Sequence, residues 1–147
     1  VGSVDELVDA LEERRARWDV SYWTIPAARI DDAAPLVARL ADQRIGFTVC
    51  PSANVRINPD MCGSLAEHVF PKMRAAGLLA TLNTDDPGLV GLDLTQEYAL
   101  CAAAFGYSPD EMAVIALDAV EASWLDDCDK ASLASSMRAT LSAPLAS

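Results

Sequence analysis

Apolar residues along this chain follow two different periodicities. Segment 3–17 carries apolar positions at the i, i+3, i+4, i+7 spacing of an amphipathic helix, and Ser3 and Glu6 form a capping box in front of them. Two short runs, "IGFTVC" at 45–50 and "LLATL" at 78–82, are instead continuously apolar or β-branched, and turn residues bound them. The first pattern predicts a helix, and the second predicts two short strands.

Helices and strands alternate along the rest of the chain. The predicted elements are a helix at 3–17, a strand at 19–25, a helix at 32–43, a strand at 45–50, a long loop at 51–63, a helix at 64–77 that Pro71 interrupts, a strand at 78–82, and helices at 94–105, 109–124 and 130–141. This order is typical of an α/β fold with parallel strands and crossover helices, in which ligands bind at the carboxyl ends of the strands. No internal repeat divides the chain, so we predict one domain over residues 1–147.

Composition and charge narrow the classes of function. The 147 residues are 52% hydrophobic, and 22 acidic residues outweigh 11 basic ones to give a formal charge of −11. Nucleic-acid binding is unexpected because it needs a cationic surface. No apolar run approaches the roughly 20 residues of a membrane span, and the four separated cysteines suggest neither a zinc knuckle nor a disulfide framework. We expect a cytoplasmic protein without nucleic-acid or membrane partners.

The stretch "ATLNTDDPGL" at 80–89 holds the main candidate chemistry. Asp85 and Asp86 follow a predicted strand, where a carboxylate can bind zinc or magnesium, act as a general base, or accept a hydrogen bond from a substrate N–H. Pro87 favours an extended backbone at Asp86, and neighbouring extended residues point their side chains in different directions, which suits two separate roles. Asp-Asp-Pro-Gly is also good turn chemistry, with carboxylates that cap backbone N–H groups. Spacing alone leaves both interpretations open.

Four segments in order resemble one family of enzymes. They are "CPSANVR" at 50–56, "SLAEHVFPKMRAAG" at 64–77, "TLNTDDPGLVGLDLTQEY" at 81–98 and "AVEASWL" at 119–125. Together they look like the C-terminal half of the adenosine deaminase family of zinc aminohydrolases, with "TLNTDDP" the most specific piece.

The resemblance implies a fold and a chemistry. It implies a (β/α)₈ barrel, of which this chain supplies the C-terminal half, and a zinc-activated water that attacks the purine carbon bearing the amino group and releases ammonia. Asp85 matches the zinc-binding aspartate of the family, and Asp86 matches the acid that holds the purine ring. Zinc lowers the pKa of its bound water to about 7. No residue of this chain is assigned a catalytic role.

The chain also departs from the family pattern. The other zinc ligands of the family are histidines in an H-x-H pair and in an H-A-G-E segment whose glutamate shuttles protons, and another histidine lies in an I-G-H-G or I-D-H-G motif. None of these motifs occurs here, and the region near Tyr22 reads "SYWTIPAARIDD". A catalytic zinc site ordinarily has three protein ligands. We therefore expect the isolated chain to be inactive.

Two rival functions stay open beside the deaminase. The first is a non-catalytic remnant or interaction subunit that keeps the fold without the metal. The second is magnesium-dependent phosphate chemistry at Asp85 and Asp86, which ranks last because the chain has no glycine-rich phosphate loop. A full barrel takes roughly 250 residues, so we expect this chain to pair with a missing N-terminal half, to form a homo-oligomer, or to be only part of a larger enzyme. The expected small-molecule partner is a purine base or nucleoside.

Other polar residues receive structural predictions. His68 is expected to be packed or hydrogen-bonded and not a metal ligand, and Asn54 to brace the loop beneath the site. Cys50 is expected to be a buried thiol at a strand end. Asp118 occupies a position where the family usually has asparagine, and Glu97 is expected to face solvent or pack beside its neighbour.

Overall fold

A computed structural model of the chain describes residues 34–60 and 62–141, together with Glu6, Asp9, Ala10 and Glu13. Those four residues are helical, as the pattern at 3–17 predicts. The other residues of that predicted helix and the predicted strand at 19–25 lie outside the described residues. The regular elements are α1 (Ala34–Asp42), β1 (Gly46–Val49), α2 (Pro51–Ile57), a 3₁₀ turn (Leu65–Glu67), α3 (Phe70–Ala75), β2 (Leu79–Leu82), α4 (Pro87–Val90), α5 (Leu94–Phe105), α6 (Pro109–Ala122) and α7 (Asp127–Leu141).

The two strands form a parallel pair. Gly46 lies opposite Leu79 and Val49 lies opposite Leu82, and α2 and α3 make the crossover between the strands. All four residues of β2 are buried, as is usual for a parallel strand covered on both faces. The Asn83 amide donates to the Val49 carbonyl at 2.9 Å, which extends the ladder past the end of β2. Both strands therefore end at the same edge of the sheet.

Helices from both sides of the crossover bury the strands. The main core cluster consists of Val37, Leu40, Val49, Phe70, Met73, Leu78, Ala80, Leu82, Cys101 and Ile115. Helix α6 packs on β2 and runs past the start of β1, where a Cβ on Gly46 would lie 3.0 Å from the Ala122 Cβ. The glycine therefore permits the close approach of β1 to α6. None of the helices in the described part of the chain is long and apolar enough to cross a membrane.

The ends of two helices are as the sequence predicts. Ser108 and Glu111 form the predicted capping box of α6, with the Glu111 carboxylate 2.7 Å from the Ser108 amide. Gly106 ends α5 as predicted, in the left-handed conformation (φ 70°) that glycine adopts without a steric penalty.

Two local predictions are wrong, and one short helix was missed. The predicted loop at 51–63 begins with α2, because Pro51 stands at the first helical position, where its missing N–H is not needed. The Ser64 to Glu67 capping box does not form: that segment is a 3₁₀ turn, and the Ser64 side chain makes no capping bond. The one-turn helix α4 was not predicted.

An ion-pair network lies near the amino ends of the strands. Asp118 of α6 pairs with Arg74 of α3, and its side chain is 19% exposed. Arg44, just before β1, contacts Asp118 at 3.9 Å and Glu121 at 2.7 Å. The carboxylate at 118 thus balances the charge of the mostly buried Arg74 side chain, which an asparagine amide would not do.

We predict that Asp118→Ala lowers the free energy of unfolding by about 2 kcal/mol, since it leaves the mostly buried Arg74 without its partner. Glu121→Ala is the matched control on the same helix, because the Arg44–Glu121 pair is half exposed and should contribute less than about 1 kcal/mol. Urea unfolding of both variants measures the difference. Equal losses would contradict the proposed asymmetry.

Candidate active-site rim

The ends of the two strands meet at one edge, which we call the carboxyl-end rim: Cys50 after β1 and residues 83–86 after β2. The Asp85 backbone amide faces the Cys50 sulfur, so the two strand ends lie next to each other. The rim therefore carries both adjacent acids, as predicted for a parallel sheet.

Asp85 has an unusual backbone and an uncommitted side chain. Its φ of 66° lies in the left-handed region, so the extended conformation assumed for both acids is wrong at this residue. Its side chain is exposed, and within the described residues its carboxylate makes no hydrogen bond or ion pair. Left-handed backbone costs a residue other than glycine roughly 1 kcal/mol, although aspartate tolerates it better than most. This carboxylate is available to a ligand.

Asp86 has a different environment. Its φ of −97° and ψ of 103° are extended, as Pro87 predicts. One carboxylate oxygen, Oδ1, accepts hydrogen bonds from the Gly88 amide at 2.9 Å and the Leu89 amide at 3.1 Å, which makes Asp86 the N-cap of α4. The turn interpretation is therefore correct for this oxygen, and a role in substrate binding depends on Oδ2.

Helix α2 contacts the segment that follows the carboxyl-end rim. Arg56 of α2 donates a hydrogen bond to the Val90 carbonyl at the end of α4. Cys50, Ala53 and Val90 form a small apolar cluster with Leu92 packed against it. The one-turn helix that Asp86 caps is thus fixed at its other end by α2.

His68 is buried and hydrogen-bonded, as its structural prediction requires. Its Nδ1 accepts from the Phe70 amide at 3.0 Å, so a neutral ring carries its proton on Nε2. The Asn54 Nδ2 lies 3.1 Å from Nε2, so the Asn54 amide must take the flipped orientation, with Oδ1 toward Nε2, to accept that proton. The ring also lies near Phe105, with centroids 6.4 Å apart. Asn54 therefore joins α2 to the short connection between the 3₁₀ turn and α3.

Glu97 contradicts its prediction. It is fully buried at 0% exposure, where its Oε1 accepts from the Ser52 amide at 3.0 Å and from the Cys101 thiol at 3.5 Å. A helical periodicity would have found it, because Glu97, Cys101 and Phe105 recur at i, i+4 and i+8 on one face. Position 97 was not recognised as part of this buried face because it is a glutamate, and acidic residues are rarely buried without a partner.

The buried cysteines are neutral thiols at neutral pH. Burial, followed by the charge of Asp85, raises the pKa of Cys50 to about 11, and burial raises the pKa of Cys101 to about 12. Neither is therefore an activated nucleophile. Among residues 34–60 and 62–141, no three His, Cys, Asp or Glu side chains come together as a metal-binding group. At the rim, Asp85 is the carboxylate with both oxygens free among the described residues, whereas Asp86 has one oxygen engaged in the cap of α4.

Comparison with known proteins now decides the family. The sequence model described as adenosine deaminase matches residues 6–140 of the chain. The chain belongs to the adenosine deaminase family. An adenine deaminase of Rhizobium rhizogenes is 38% identical over 107 residues, which are 71% of this chain but 32% of that protein. This family member thus spans about a third of the length of that relative.

Solved structures of the family confirm the predicted fold. An adenine deaminase from Arthrobacter aurescens superposes with a TM-score of 0.76 and 26% identity over 97% of this chain and 41% of that one. A Burkholderia ambifaria amidohydrolase, solved with bound Zn, gives a TM-score of 0.62 and 29% identity over 78% of this chain and 34% of that one. The deaminase-family chain is therefore a partial TIM barrel, with parallel strands and crossover helices.

We predict that acid weakens the fold through His68. Burial lowers its pKa below 6.5, opposed by the charge of Glu97. Above pH 6.5 both the folded and unfolded rings are neutral, and stability is complete. Below it the unfolded chain gains the proton first, so the free energy of unfolding falls, by at most about 1.4 kcal/mol per pH unit.

The chain has one histidine, so NMR can follow the ring directly. Urea unfolding at about pH 7.5 and about pH 5.5 should show a smaller stability loss in His68→Gln, which cannot titrate, than in the parent chain. A His68 pKa at or above 6.5 would refute the prediction.

Proposed function

We propose that this chain forms the C-terminal part of a zinc-dependent deaminase site that acts on an aminopurine, with Asp85 as one zinc ligand and Asp86 as a substrate ligand. The observation that supports the proposal most directly is the exposed Asp85 carboxylate, which stands at the carboxyl-end rim without a partner among the described residues. A general turn aspartate would bond to nearby backbone amides, as Asp86 does.

The donor set at the rim fits zinc only in part. A carboxylate is an ordinary zinc ligand, but a catalytic zinc usually has three protein ligands. The remaining ligands must come from the barrel segments that carry the family histidines. When bound, zinc would supply a water that ionises near neutral pH. The role of this chain is to hold Asp85 in place for that ion.

Asp86 has one oxygen for structure and one for a ligand. Oδ1 is held by two amides of α4, so the orientation of the carboxylate is fixed. Oδ2 is then positioned to accept a hydrogen bond from a purine ring N–H, which costs little reorganisation because the group is already immobilised. The matching family model is described as adenosine deaminase and the Rhizobium relative as adenine deaminase, so both the nucleoside and the base belong in the test.

A non-catalytic subunit is the second candidate. It is favoured by the lack of any three-ligand metal cluster in the part of the chain that the structure describes. It forecasts that no zinc binds even when the missing ligands are supplied.

We predict that a chimera, in which this chain replaces the matching segment of the Arthrobacter aurescens adenine deaminase, binds zinc and releases ammonia from adenine or adenosine. Asp85→Ala in the chimera should lower zinc affinity by about a hundredfold or more, since it removes a direct ligand. Asp86→Asn keeps an oxygen to cap α4 and replaces the other by an NH2 group, so it should keep the zinc and lower kcat/KM about tenfold to a hundredfold, which is the range for one charged hydrogen bond. Metal analysis and an ammonia assay measure both.

Asp127→Ala is the matched control, because Asp127 is an exposed acid at the start of α7. It should change neither zinc content nor rate. Zinc content that is unaffected by Asp85→Ala would end the ligand assignment. A folded chimera without zinc or ammonia release would favour the non-catalytic subunit.

A further inference from the structure

We propose that Glu97 is a positioning residue: it fixes the first turn of α2 and, through α2, holds Asp85 at the carboxyl-end rim. The consequence for metal binding rests on the proposed function of Asp85. The positioning itself is a property of this chain and can be measured without a metal.

The first step concerns the burial of Glu97. Its carboxylate is fully buried, and no Lys or Arg among the described residues pairs with it. Burying a carboxylate is costly unless hydrogen bonds compensate. The Ser52 amide, at 3.0 Å from Oε1, is the shorter of its two hydrogen-bond contacts, and it comes from a residue 45 positions earlier in the chain.

The second step concerns the start of α2. The first amides of a helix have no partner within the helix. Cys50, the N-cap residue, provides no side-chain capping bond, and Pro51 has no N–H. Ser52 is therefore the first residue of α2 that needs an acceptor, and the buried Glu97 carboxylate supplies it. Glu97 does the work of a capping residue from α5.

The third step leads from α2 to the rim. Cys50, at the start of α2, packs with Val90 of α4 in the small apolar cluster, and its sulfur faces the Asp85 amide. Arg56, one residue before the last of α2, donates to the Val90 carbonyl of α4. Both ends of α2 thus contact the segment that contains Asp85 and Asp86. A shift of the first turn of α2 moves the sulfur that faces the left-handed Asp85 backbone.

Two buried polar atoms near this contact have no hydrogen-bond partner among the described residues. Glu97 Oε2 and Ser52 Oγ are both buried without a hydrogen-bond partner. They belong to the same two residues that the Ser52 amide bond joins. Glu97 and Ser52 are therefore joined by a single hydrogen bond, from the Ser52 amide to Oε1. A glutamine at position 97 can accept the same bond.

The test uses amide hydrogen exchange by NMR in the 147-residue chain. Glu97→Leu removes the acceptor, so the Ser52 and Asp85 amides should exchange about tenfold faster, and the Asp85 backbone chemical shifts should leave their left-handed values. The Ile115 amide of α6, in the main core, should keep its protection. Glu97→Gln retains an acceptor oxygen and should restore both amides to the parent rates.

Glu97→Asp distinguishes the effect of side-chain length from the effect of charge. It also provides the test if Glu97→Leu does not fold. It keeps the carboxylate but is one methylene shorter, so Ser52 and Asp85 should again exchange faster than in Glu97→Gln. The His68 pKa provides a second readout: the charge of Glu97 raises it, so Glu97→Gln should lower it and Glu97→Asp should not abolish that contribution. Thr95→Ala, an exposed change on the same helix, should alter none of these signals.

Three results would overturn the proposal. They are unchanged Asp85 exchange and shifts in Glu97→Leu and Glu97→Asp, an equal acceleration of Ser52, Asp85 and Ile115, and a failure of Glu97→Gln to restore Asp85. The equal acceleration would mean that Glu97 contributes only to overall stability. None of these results depends on zinc, so they are distinct from a failure of the proposed deaminase function.

Discussion

The parallel, in-register pairing of β1 and β2 is the constraint on which the rest of the described structure depends. Because Val49 lies opposite Leu82, the chain leaves both strands at the same edge. The amide of Asn83 continues the ladder to Val49, and the amide of Asp85 reaches the sulfur of Cys50. A register shift of one residue would turn the side chains of β2 to the opposite face and separate these contacts. The position of both acids is therefore a consequence of strand pairing.

The two edges of the sheet differ in how completely their polar groups are satisfied. Near the amino ends, Asp118 and Glu121 are paired with arginines, so charge is balanced within the fold. At the carboxyl edge, the Asp85 carboxylate and one oxygen of Asp86 have no partner among the described residues. In parallel α/β folds ligands bind at that edge. The amino-end edge, where the charges are paired, therefore stabilises the fold, and the carboxyl-end edge, where acceptors stay free, carries the candidate chemistry.

The sequence predicted the features that local chemistry decides. The strands at 45–50 and 78–82, the α6 capping box and the extended backbone at Asp86 all follow from neighbouring residues. It missed features that depend on distant contacts. Helix α2 looked like a loop because Pro51 was its only local start signal, and the acceptor of its first free amide is Glu97, 45 residues away from Ser52. The left-handed Asp85 could not be predicted from its neighbours, because its amide faces the sulfur of Cys50, which follows the other strand.

Asp85 and Asp86 also differ in what each contributes to the stability of the fold. Asp86 stabilises α4 by accepting two amide hydrogen bonds, so its presence has a structural reason. Asp85 occupies a left-handed backbone that costs roughly 1 kcal/mol, and its exposed carboxylate makes no contact among the described residues that offsets this cost. Glycine would adopt the same backbone without the penalty. A left-handed aspartate whose carboxylate has no partner among the described residues fits the ligand role that we propose for Asp85.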